Sequence, residues 1–178
     1  KYSKDLIKKS ALLFLKPRII VCNVDEKSLP DGNKYSDACK KKFPNENIIV
    51  VCADIEDQIM NLQAKDRKDF MLESGIKSTG LDNLIKTGYS ALGLNTFFTS
   101  GPEESRAWTI EKNSKAVDAA GVIHTDFKKK FIRAETVTHE DFIKYKGFIE
   151  CKNAGKLRLE GKDYFVNDGD VMYFRVGS

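Results

Sequence analysis

The chain has 178 residues, 41% of them apolar and 31% charged, with a net charge of +4. That balance predicts a soluble globular protein, long enough for one or two domains that each bury a core. It shows no signal peptide and no apolar run near the roughly 18 residues needed to span a membrane, and its charge divides evenly between the halves, which excludes a polybasic tail. The four cysteines form no Cys-x-x-Cys pair and have no His at ligand spacing, which argues against a structural zinc site and suits a reducing cytosol.

In chain order, residues 2–15 predict a helix with Ile7, Ala11 and Phe14 on one stripe, stopped by Lys16-Pro17. Residues 18–22 and 48–53 are continuous β-branched runs, the pattern of parallel strands covered on both faces, which would bury Cys22 and Cys52. Between them a loop at Pro30-Asp-Gly32 leads into a crossover helix at 35–42, with Lys40, Lys41 and Lys42 as its polar end. Asp54 and Asp66 are placed to cap two following helices. Leu81, Leu84, Ile85, Tyr89 and Leu92 keep the 3.6 period over a third helix, ended by Gly93.

From Leu94 the period shortens. Strands are expected at 95–99, 106–110, 131–137, 156–160 and 171–176, with helices at 116–121 and near 139–144. A small twisted sheet gripping one helix is the β-grasp form.

Asn23-Val24-Asp25-Glu26 stands directly behind the first strand. Behind a buried strand, Asn-x-x-acid suits a purine base, because the amide donates and accepts along the base edge while the acid reads its Watson–Crick side. The plainer reading is a strand that ends in turn-forming residues. What favours the base is the next apolar run, which ends in Cys52-Ala53-Asp54 one crossover later, where such domains place a second base-contacting loop. A phosphate-cradling Gly-x-x-x-x-Gly-Lys-Ser/Thr string is absent; Gly80 to Thr87 lacks the second glycine and has helical apolar spacing.

Several strings together resemble the YchF / Obg-like ATPase family: Asn23-Val-Asp-Glu26, Val51-Cys-Ala53 with Glu56, and Phe97-Phe-Thr-Ser-Gly-Pro-Glu-Glu-Ser-Arg-Ala-Trp108. So do Ala119 to Phe127, Phe131-Ile-Arg-Ala-Glu135, and Ala154 to Tyr164 leading into Asp168-Gly-Asp-Val-Met172. The resemblance implies residues 1–92 as the C-terminal part of a parallel-sheet, α/β P-loop nucleotide-binding domain and 93–178 as a TGS domain of β-grasp form. With no phosphate loop and no initial Met, it predicts a fragment that is inactive by itself and contains no catalytic residue or metal ligand. The parent would be a cytoplasmic, ribosome-associated, monomeric protein without membrane contact. It would hydrolyse ATP, and GTP less readily, with Mg2+, as a switch linked to translation or stress. The rival is a non-enzymatic TGS module that binds RNA or a regulatory ligand.

The resemblance implies Asn23, Val24, Glu26, Cys52 and Ala53 as base-binding residues. Glu26, one methylene longer than Asp, would disturb the grip on guanine, and Ala53 would present backbone groups. For RNA or ribosome contact the expected patch is Lys128, Lys129, Lys130 and Arg133, joined by Lys156, Arg158 and Lys162, against the plainer reading of lysines guarding a sheet edge. His124 fits a turn better than a catalytic role, and Trp108 fits a core better than a stacking platform.

Overall fold

The computed structural model describes residues 12–177, and the chain divides into two compact units at the junction of Leu92 and Gly93. Most of the helix expected at 2–15 lies outside the described residues; its described end, Leu13–Leu15, is one 3-10 turn.

In the first unit, β1 (Ile19–Asn23) and β2 (Asn47–Val51) run parallel with Asn23 opposite Val51, so both strands end at one edge. Helix α1 (Lys34–Lys42) makes the crossover. Its start is fixed by a capping box in which the Asn33 side chain accepts from the Ser36 amide and Ser36 Oγ accepts from the Asn33 amide. Helices α2 (Ala53–Asn61), α3 (Ala64–Glu73) and α4 (Gly80–Leu92) follow. The core is small: Cys52, Ile55 and Ile59 are buried, with Leu29, Phe70, Met71 and Ile76 packed on them. Gly93 ends α4 at φ +65°, a left-handed step that glycine makes without strain.

Three expectations for this unit need correction. The strands are not covered on both faces: Val21 is 47% exposed, and Cys22 is only half-buried. Two strands and one set of helices, among the described residues, leave the second face open. The apolar stripe of α4 has the expected spacing, but Leu81, Ile85 and Leu92 are exposed for the same reason. Asp54 and Asp66 are not N-caps; Cys52 and Gln63 hold those positions without side-chain bonds. Both acids sit in the first turn instead, where they favour the positive end of the helix dipole.

In the second unit the strands are β3 (Leu94–Ser100), β4 (Ser105–Glu111), β5 (Phe131–Thr138), β6 (Arg158–Glu160) and β7 (Asp170–Val176), in the sheet order β4-β3-β7-β5-β6. The first and last strands, β3 and β7, lie parallel in the middle, as a β-grasp sheet requires. Helix α5 (Ala116–Ile123) crosses the inner face. Ala116, Ala119 and Ala120 are fully buried, and their small side chains let the helix approach Phe97, Ala134, Met172 and Phe174 closely. On the outer face α7 (His139–Tyr145) and α8 (Phe148–Asn153) close a second cluster of Val137, Cys151 and Val171.

Helices α6 (Thr125–Lys129) and α8 are absent from the sequence reading, being too short to show a period. Strand β6 starts two residues later than expected because the Lys156 amide donates to the Cys151 carbonyl and finishes α8. His124 serves the turn: its Nδ1 accepts from the Asp126 amide at 3.1 Å and caps α6.

Candidate functional site

At the shared edge of β1 and β2, Asn23 Oδ1 accepts from the Ala53 amide at 3.0 Å, and the Val24 amide donates to the Val51 carbonyl at 2.8 Å. The Asn23 side chain thus ties the end of one strand to the start of α2. Asp25 precedes a single turn, Glu26–Ser28, and accepts from Ser28 Oγ across it. That turn aims Glu26 toward α2, where Gln58 Nε2 donates to Glu26 Oε1 at 3.1 Å. Two loops far apart in sequence therefore meet, with the Asn23 and Glu26 side chains exposed beside the start of α2.

Cys52 is 1% exposed and packs with Ile55, and its carbonyl accepts from the Glu56 amide at 3.0 Å, so the residue is part of the support of this edge in this structure. Ala53 spends its N–H on Asn23, which makes that amide part of the scaffold in this structure.

Sequence reasoning assigned no role to two supports. Gln58 holds the Glu26 carboxylate, but a Gln one turn into a helix carries no signal by itself. Glu56 caps α4: Oε1 accepts from the Gly80 amide at 2.5 Å and Oε2 from the Leu81 amide at 3.4 Å. Gly80 is required there, since a Cβ would lie 2.6 Å from Val51 Cγ1. A cleft of about 250 Å³ opens beside this contact, lined by Val51, Cys52, Glu56, Lys77 and Ser78.

The basic residues expected to act as one patch are divided. Lys128 pairs with Asp118 at 2.8 Å, and Lys129 lies 4.0 Å from Asp126, both on the helix side of the sheet. Arg133 is on the other face: β5 has an irregularity between Phe131 and Arg133, so Phe131 and Ala134 point inward while Ile132 and Arg133 point out. Lys156 and Lys162 are exposed near β6. Arg158 is committed inside its own unit, 3.1 Å from the nearly buried Asp170 and 3.6 Å from Glu160.

Residues 94–177 match a family model named YchF-GTPase_C and described as a protein of unknown function. Over 176 residues, 97% of the chain, the sequence is 49% identical to the ribosome-binding ATPase YchF of Bacillus subtilis (strain 168). It is 47% identical over 173 residues to the protein of the same name from Escherichia coli O157:H7. The chain belongs to the YchF family. It spans about half the length of these curated relatives, 48% and 47%. The solved YchF GTPase of Schizosaccharomyces pombe superposes with a TM-score of 0.82 at 34% identity, over 98% of this chain and 48% of that one. A GTP binding protein from Pyrococcus horikoshii OT3 shares the fold at 18% identity, with a TM-score of 0.58, over 91% of this chain and 46% of the other.

In the YchF-matched half, Asp170 organises the strongest polar network. It accepts from Arg158 at 3.1 Å, from the Tyr164 hydroxyl at 2.7 Å and from the Asn167 amide at 2.9 Å. Burial first, then the hydrogen bond to Asp170, pushes the Tyr164 phenol up to about 12 from 10.0. The raised value means that the folded state holds the phenolic proton more tightly than the unfolded state does. Its stabilising contribution is complete below pH 10 and is lost as pH rises from 10 toward 12. Alkaline denaturation should therefore show a stability loss in that window that Tyr164→Phe lacks; parallel curves for the two proteins would refute this.

Proposed function

We propose that this chain carries the base-reading end of a YchF-type nucleotide site, joined to a β-grasp interaction domain. The parent protein hydrolyses ATP with Mg2+, by phosphoryl transfer to water, and associates with ribosomes. The observation that carries the reading is the meeting of Asn23 and Glu26 with the start of α2 at one open strand edge. Supporting it, relatives are named ribosome-binding ATPases, while the Schizosaccharomyces pombe protein is named a GTPase. Base choice is thus the point to test.

To the nucleotide site the chain contributes base selection. The sequence holds no Gly-x-x-x-x-Gly-Lys-Ser/Thr string, so this chain alone is expected to turn over no nucleotide, and phosphate release above the buffer blank with Mg2+ and ATP would refute that. Glu26 selects through reach: with its carboxylate held by Gln58, its oxygens stand one methylene further out than those of an Asp, off the position that grips guanine's ring N–H and amino group together. In the full-length parent, Glu26→Asp should raise GTP affinity relative to ATP about tenfold or more, the scale set by a mispaired hydrogen-bonding group at roughly 1–3 kcal/mol. Titration of both nucleotides against both proteins checks this. An unchanged ATP:GTP ratio would move base selectivity away from Glu26.

For the ribosome, Lys128, Lys129 and Lys130 remain the contact we propose, on the helix face of the sheet. Replacing all three with Glu should abolish co-sedimentation with ribosomes at low salt and leave the thermal midpoint nearly unchanged, since exposed pairs such as Lys128–Asp118 contribute little. Equal pelleting of wild type and variant would return these lysines to a solvated edge. The rival reading, a β-grasp module that works without nucleotide chemistry, draws on a groove on the opposite face of the sheet.

A further inference from the structure

Along β5 and β7 the outer face of the second unit changes character. Val137 and Val171, at one end, are sealed under α7 and α8. Moving along the strands, Glu135 pairs with Tyr173 and Arg133 with Arg175, and helical cover ends. What remains is a groove of about 590 Å³, walled by α8, β6 and the Ser100–Pro102 turn. Its apolar lining includes Ile149, 72% exposed, and Leu159, 60% exposed. Large aliphatic side chains left this open beside a concavity mark a place where another apolar surface sits.

The charge of the groove narrows the occupant. Arg133, Lys152 and Arg175 are its cations and Glu135 its acid, a balance of three against one. Glu135 is already taken, gripped by Arg175 at 2.9 and 3.4 Å. An occupant therefore meets a net positive rim around aliphatic anchors. Single-stranded nucleic acid needs open aromatic faces, and the groove offers few: the Arg175 guanidinium covers Tyr173 at 4.5 Å, and the Phe148 and Tyr173 rings already meet edge to face at 6.4 Å. Aliphatic pockets with cationic rims suit leucine or isoleucine anchors flanked by Asp and Glu.

We propose that this groove docks an acidic segment of a partner protein, its aliphatic side chains against Ile149 and Leu159 and its carboxylates on Arg133 and Lys152. The surface is distinct from Lys128–Lys130 and independent of nucleotide, so it stands or falls separately from the proposals above.

The test uses the 178-residue chain and a fluorescein-labelled peptide, Asp-Glu-Leu-Leu-Asp-Glu-Leu-Leu-Asp-Glu, read by fluorescence anisotropy. Matched peptides replace the leucines with Ser or the acids with Lys, and a single-stranded oligouridylate is the nucleic-acid competitor. The acidic leucine peptide should saturate, and the Ser and Lys peptides should not. The pairs Ile149→Ser with Leu159→Ser, and Arg133→Glu with Lys152→Glu, should each weaken binding at least tenfold. Because all four residues are exposed, both variants should keep the wild-type thermal midpoint, which confirms that they fold. The proposal is overturned by failure to saturate at about 1 mM peptide, by equal binding of the Lys peptide, or by wild-type affinity in either folded variant. Displacement of the peptide by oligouridylate at equal concentration would also overturn it, assigning the groove to nucleic acid.

Discussion

Asp170→Ala should destabilise the β-grasp unit by about 3 kcal/mol or more, within the roughly 3–5 kcal/mol seen when one partner of a buried ion pair is removed. The carboxylate is 3% exposed and accepts from three donors on three different residues. Its removal strands the Tyr164 hydroxyl and the Asn167 amide in a place that water reaches poorly. Arg158 is 43% exposed and rehydrates, which keeps the cost toward the low end of that range. Asp170→Asn retains the shape but turns an NH2 toward donors, so it should lie between Ala and wild type. Urea denaturation followed at Trp108, the single tryptophan of the chain, reports this unit without signal from the other. A change below about 1 kcal/mol, the scale of an exposed pair, would mean that the network is ornamental.

Phe97→Ala should cost about 3–5 kcal/mol, the range for deleting a buried aromatic ring. Phe97 is completely buried, stacked on Trp108 at 6.5 Å and edge-on to Phe174 at 6.0 Å. The alanines of α5 opposite are too short to fill the space, so a cavity persists. The same fluorescence transition reads this variant, and Phe97→Leu should recover more than half of the loss. Equal destabilisation by Leu and Ala would show that ring-to-ring contact, rather than filled volume, sets the cost.

What was legible in the sequence follows from period and length. The five strands of the second unit and the two parallel strands of the first announce themselves through alternation or unbroken β-branched runs. Helix α4 was legible through its repeat. The short helices α6 and α8 complete too few turns to repeat anything. The capping acids were misplaced by two and three positions because first-turn and cap positions both welcome Asp. The base edge was readable only in part: Asn23 and Glu26 carry a spacing, whereas Gln58 becomes relevant only after folding places α2 beside the Glu26 turn. The division of the basic residues between two faces has a cause that no composition reveals. One extra residue in β5, between Phe131 and Arg133, reverses the parity of the strand and sends Arg133 away from the lysines that precede it.

The central pairing of β3 with β7 bears on how this unit is made. Phe98 must find Val171, so the middle of the sheet depends on a contact between the first strand synthesised and the last. Until β7 emerges, β3 and β5 have no common neighbour, and the hairpin of β3 and β4 presents an unpaired edge carrying Phe97 and Phe98. Such a nascent intermediate is slow to close and prone to pair with other chains. A stalled product ending before Asp170 would also lack the carboxylate that gathers Arg158, Tyr164 and Asn167, and would be a substrate for proteolysis rather than a partly working domain.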